Sequence, residues 1–143
     1  MINQSRSPLQ IGDIARADFR TSFAADAENS RIQKVLELPY RYQPARLAIS
    51  LSLRDAKALK PLGDAGGRPI KGDTLFGQDE ADLTLWVALI VEHTAIEGLA
   101  RRDFQDLVAA HWARGIVRLT EATAGASRIE VAFARLVSVG ASH

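Results

Sequence analysis

Apolar positions in this chain recur most regularly at helical spacing, and the predicted elements follow from where that recurrence starts and stops. From Arg101 onward, Phe104, Leu107, Val108, His111, Trp112, Gly115, Ile116 and Leu119 keep one face apolar over roughly four turns, the clearest amphipathic helix in the sequence. Before it, Leu83, Trp86, Val87, Ile90, Val91 and Thr94 trace a second stripe, which Leu85 and Leu89 widen. Asp79 suits the N-cap of that helix, Glu80 and Asp82 suit the positive end of its dipole, and Gly98 ends it. The width of its stripe predicts a largely buried helix.

Two further helices are predicted upstream. Ala24 to Leu38 carries Ile32, Val35 and Leu36 on one side and is closed by Pro39. Tyr42 to Lys60 follows, with Pro44 tolerated in the first turn, where no backbone donor is needed, and Pro61 as the stop. Its centre, ARLAISLSL (residues 45–53), sets Leu47, Leu51, Ala48 and Ser52 at helical spacing. That face is small and apolar and fits close packing, while basic residues gather at both ends.

Elsewhere the pattern is less regular. Residues 1–18 form a partly ordered N-terminal arm in which Ile11 and Ile14 fit a short helix. In ADFRTSF, Phe19, Thr21 and Phe23 alternate with polar residues, the period of a short half-buried strand; a helix from Asp13 fits the same residues. PLGDAGGRPIKGD (residues 61–73) is rich in glycine and proline but lacks the glycine-lysine-serine/threonine ending of a phosphate loop, so it reads as a flexible connection. EATAGAS after Thr120 is a polar link, and the tail from Ser127 fits a strand or, slightly better, a helix. The predicted architecture is all-α, a compact helical domain over residues 19–120 with a short N-terminal strand and a C-terminal extension over 121–143.

Composition bounds the class. A chain of 143 residues, 47% hydrophobic and 24% charged, holds one domain with a real core. The longest apolar run, Leu83 to Val91, falls far short of the roughly 20 residues that cross a bilayer. MINQSRSPLQ lacks the apolar core of a secretory signal, and with no cysteine there are neither disulfides nor thiolate metal sites. The expectation is a cytoplasmic protein with no membrane partner.

Net charge is only +1, but it is unevenly spread. Residues 31–60 carry seven bases (Arg31, Lys34, Arg41, Arg46, Arg54, Lys57, Lys60) against Glu37 and Asp55, so 7 − 2 = +5. Residues 61–100 carry two bases against seven acids, so 2 − 7 = −5. Either the basic segment faces a phosphate backbone, or the two halves neutralise each other in the fold or across an oligomer interface.

Candidate chemistry is sparse. His93 and Glu97 have metal-compatible spacing but no third ligand, and read as a solvent-facing pair. His111 lies on an apolar stripe, as a hydrogen-bonded core or interface histidine does. Ser22, Ser50 and Ser52 sit in no nucleophile motif. No catalytic residue, metal ligand or cofactor is expected. Tyr40 and Tyr42 interleave with Arg41, a combination that either packs at a helix start or stacks on bases.

Three stretches carry a family resemblance: Arg46, Ala48, Ser52 and Leu53 on the second helix, the turn Leu75-Phe76-Gly77, and His111 followed by Arg114, Gly115 and Ile116. In order and spacing, over about residues 19–119, the sequence resembles the DndE family of bacterial DNA phosphorothioation systems. The resemblance implies a ribbon-helix-helix-like, homo-oligomeric and tetrameric protein that binds double-stranded DNA. It also implies a place beside the sulfur-transfer and ATPase subunits of the modification machinery, with no catalytic residue of its own. Here ELPYRYQP stands where the family has a basic threonine-glycine turn, and the tail beyond Thr120 is an addition. Arg46 and Arg114, inside apolar helices, are expected to be structural. The DNA-binding candidates are Arg31, Lys34, Arg41, Arg54, Lys57 and Lys60, whose long side chains reach solvent and release counterions on binding. A structural adaptor that assembles the modification complex, with only incidental DNA contact, is the other reading.

Overall fold

Asp18 pairs with Lys71 and Phe19 with Ile70 across a two-stranded antiparallel ladder, so the beginning of the chain is fastened to its middle. The computed structural model describes residues 9–124 and 134–135. Along these run α1 (Ile11–Arg16), β1 (Asp18–Phe19), α2 (Phe23–Val35), α3 (Tyr42–Leu53), β2 (Ile70–Lys71), α4 (Gly72–Leu75), α5 (Glu80–Thr94) and α6 (Arg101–Thr123). The fold is a mostly helical domain with a small antiparallel sheet. Among the described residues no helix is long and apolar enough to cross a membrane.

The period-2 stretch is shorter as a strand than its alternation suggests. Phe19 and Thr21 are buried, but Phe23 is 72% exposed. The reason is local: the Ser22 hydroxyl accepts the Ala25 N–H at 3.0 Å, and this cap starts α2 before Phe23 can turn inward. α2 also ends before Pro39. Glu37 takes a left-handed conformation (φ 53°), and the N–H groups of Glu37 and Leu38 reach back to the carbonyls of Lys34 and Gln33 at 3.1 and 2.9 Å. That paired closure satisfies the last carbonyls without proline.

α6 is the helix on which the core is assembled. Phe104, Val108, Trp112, Ile116 and Leu119 are buried along it, and α3 forms the most extensive pair with it. The rings of Phe19, Phe76 and Phe104 meet edge to face, with centroids 5.3 to 6.4 Å apart. Ile14 of α1 is fully buried, and Gly72 lies against its carbonyl so closely that a Cβ at 72 would stand 1.9 Å from the oxygen. Residues 9–17 thus belong to the packed domain.

α5 and α6 also differ from expectation. α5 starts at the Asp79 cap, which accepts the Ala81 N–H at 2.8 Å, but it is not largely buried. Leu83, Val87 and Ile90 face the core, whereas Leu85 and Leu89 are 57% and 44% exposed. α6 runs past Thr120 through Thr123; Ala122 and Thr123 are buried and the Thr123 hydroxyl donates to the Leu119 carbonyl at 2.8 Å, which makes the start of the polar link a last helical turn. Residues 1–8, and the tail from Ser127 apart from residues 134–135, lie outside the described residues.

Candidate nucleic-acid interface

The three stretches that carry the family resemblance meet at α3. Arg46 projects from it to α4, where its Nε donates to the Leu75 carbonyl and a terminal nitrogen donates to Thr74 at 3.0 Å. The carbonyls it binds are the open C-terminal end of α4 and the start of the Leu75-Phe76-Gly77 turn, in which Gly77 has φ 112°. On the opposite side, Gly115 of α6 lies against the Ala48 carbonyl: a Cβ there would stand 1.7 Å from the oxygen. One turn along each helix, the Ser52 hydroxyl is 2.8 Å from Nδ1 of His111. Arg46 and Arg114 are structural, as their apolar surroundings lead one to expect.

Arg114 also defines where α3 stops. Its Nε donates to Ser52 Oγ at 2.8 Å, one terminal nitrogen to the Lys57 carbonyl at 2.7 Å, and the other to the carbonyls of Ser52 and Asp55 at 2.8 and 3.1 Å. Carbonyls that would otherwise have waited for the next helical turn are taken by a guanidinium. The helix ends at Leu53, so Lys57 and Lys60 stand on a turn rather than on the helix expected to run to Lys60. Burial lowers the Arg114 pKa, and the charge of Asp55 counters that effect. Asp55 itself is held below the usual carboxylate range by the Lys57 backbone N–H and by Arg118 and Arg114.

His93 closes the same turn from α5. Its Nε2 lies 2.6 Å from the Asp55 carbonyl, and its ring meets that of His111 edge to face with centroids 4.8 Å apart. It is therefore a half-buried brace, and not half of a solvent-facing pair with Glu97, which lies beyond the end of α5. His111 is fully buried, and burial, followed by the charges of His93 and Arg114, pushes its pKa down to about 3. Ser52 Oγ accepts from Arg114 Nε and shares a hydrogen bond with His111 Nδ1, while His111 Nε2 is a buried atom with no hydrogen-bond partner among the described residues.

The six DNA-binding candidates fall into two groups near opposite ends of α3, whose 12 residues span about 18 Å. Arg54, Lys57 and Lys60 are exposed on the braced turn at its C-terminal end. Arg31 and Lys34 are exposed on the last turns of α2, beside its N-terminal end, with Arg31 Nε 2.9 Å from Glu28. Arg41 differs: its guanidinium turns inward, donating to the Arg68 carbonyl at 2.8 Å and lying 3.4 Å from Asp26.

Asp26 is the group that sequence reasoning passed over. It is buried on the inner face of α2, where Arg68 meets it three times, through its backbone N–H at 3.1 Å, its Nε at 3.0 Å and a terminal nitrogen at 3.4 Å. Burial alone would raise the Asp26 pKa; the hydrogen bonds from Arg68 and the charge of Arg41 more than offset it and hold it low. A signal was available, because Asp26 and Asn29 precede Ile32 and Leu36 on the buried stripe, and a carboxylate on such a stripe requires a cation. Nothing marked Arg68 as that cation.

Among the described residues, no three histidine or carboxylate side chains are grouped so as to hold a metal ion. No family model matches the chain, and neither the curated proteins nor the solved structures contain a significant match to it.

Proposed function

We propose that the chain is a non-enzymatic DNA-binding accessory subunit of a DNA phosphorothioate modification machinery of the DndE kind, ribbon-helix-helix-like and homotetrameric, working in the cytoplasm. It contacts the backbone of duplex DNA, intact or nicked, through the bases at the two ends of α3. The observation that carries this reading is the segment Arg54–Lys60, in which Arg54, Lys57 and Lys60 are exposed while the carbonyls of Asp55 and Lys57 are pinned by Arg114 and His93. Rigid backbone beneath mobile cations suits a ligand recognised by charge and spacing. The second group, Arg31 and Lys34, is exposed on the last turns of α2, the helix that precedes α3.

The test is a mobility shift on duplex DNA across a salt series, with the Lys57→Glu, Lys60→Glu double variant alongside. Affinity should fall steeply with salt, and the variant should lose binding and modification while keeping its unfolding midpoint. Wild-type binding that is absent at low salt, or indifferent to salt, removes the reading.

A structural adaptor is favoured by one separate observation, the outward Leu85 and Leu89 on α5, an exposed apolar pair among the described residues. Under that reading Leu85→Ser with Leu89→Ser abolishes modification, and the lysine variant leaves it nearly intact. Light scattering with and without duplex DNA reports assembly and ligand together.

A further inference from the structure

We propose that Tyr40 is a stacking platform for an unpaired nucleobase, deepening the DNA-binding reading on which it partly rests. Tyr40 lies in the turn between α2 and α3 and is 58% exposed, with its backbone N–H donating to the Gln43 side chain at 3.1 Å. Its ring stacks on that of Tyr42, with centroids 5.6 Å apart and planes 16° from parallel. The guanidinium of Arg46 lies 4.4 Å from the Tyr42 ring centroid, and Arg46 is itself anchored on the carbonyls of α4. Each member of this ladder is therefore held by the next, and the ladder ends in a tyrosine that is more than half exposed.

Exposure alone carries nothing, since Phe23 is more exposed still. What sets Tyr40 apart is that its ring is held in place without being covered, so a flat ligand meets it at little cost in conformational freedom. Its surroundings select the ligand. Lys34 and Arg31 are exposed on the last turns of α2, Arg31 shared with Glu28, while Arg41 and Arg46 are committed to Asp26 and to backbone carbonyls. A π-face in the same segment as the exposed Lys34 and Arg31 takes a base together with a neighbouring phosphate, and an uncharged aromatic peptide would leave those two side chains unused.

The experiment is fluorescence anisotropy on the full chain with three probes: a blunt duplex, the same duplex with a short thymidine overhang, and oligothymidylate alone. The overhang should tighten wild-type binding roughly tenfold, as one base–aromatic stack does. Tyr40→Ala should lose that gain with blunt-duplex affinity unchanged, while Tyr40→Phe and Tyr40→Trp keep it, which separates stacking from damage to the turn. A gain that survives Tyr40→Ala, or no gain in the wild type, overturns the platform; if the blunt duplex still binds, the backbone reading stands alone. Tyr40-dependent binding of oligothymidylate without blunt-duplex binding leaves the platform standing and removes the backbone reading.

Discussion

Ser52 and His111, 59 residues apart in the chain, share a fully buried hydrogen bond of 2.8 Å in which the imidazole is held neutral. Its folded-state pKa of about 3 lies below the ordinary histidine value, so the unfolded chain takes up a proton that the folded one refuses. The stability associated with a neutral His111 is complete above about pH 6.5 and is lost as pH falls from there, by about 1.4 kcal/mol per unit. Between pH 6.5 and 5 this group alone should remove about 2 kcal/mol. Urea midpoints across that interval should fall in the wild type and flatten in His111→Gln.

Gly115→Ala tests the α3–α6 contact. The added methyl would sit 1.7 Å from the Ala48 carbonyl oxygen, and both partners are helical backbone, so the helices must separate. The expected loss is about 3 kcal/mol, the upper end of ordinary overpacking, read from thermal or urea unfolding. An unchanged midpoint would mean that the two helices do not cross at this glycine.

Arg114→Lys keeps the charge and loses the fork. A lysine ammonium cannot serve Ser52, Asp55 and Lys57 together, so the turn should loosen more than the domain as a whole. Limited trypsin digestion should cut after Lys57 in the variant under conditions that spare the wild type; the Lys60–Pro61 bond resists trypsin in both. Global stability should drop by about 2 kcal/mol.

How much of this was legible in the sequence depends on where each determinant lies. The start of α5 was readable because Asp79 caps it two residues away, and the core face of α6 because its stripe is continuous. The end of α3 was not, since the group that ends it, Arg114, comes about sixty residues later. In the candidate site, the exposure of Lys57 and Lys60 agrees with their place beyond an apolar stretch. The inward turn of Arg41 does not follow from its neighbours, because it is set by Asp26 and by the carbonyl of Arg68, 27 residues on.

Asp26→Asn should release that arrangement. Because the folded pKa of Asp26 is depressed, its contribution is present above the unfolded carboxylate value near 4 and is lost as pH falls through that value and below. The variant should therefore be less stable than wild type at neutral pH, by about 2 kcal/mol, and the difference should shrink in acid. Unfolding midpoints at pH 7 and pH 3 check both halves of the expectation.

The dependence of the early elements on α6 also bears on the order of synthesis. Thr21 bonds the Ala109 carbonyl across 88 residues, Glu28 meets Thr120 across 92, and Ser52 of α3 meets His111 across 59 and Arg114 across 62. A ribosome adding about 5–20 residues per second takes on the order of 10 s to go from the end of α3 to the end of α6. Throughout that interval the side of α3 that packs on α6 has no lasting cover, and the nascent chain presents it to chaperones, proteases and other nascent chains.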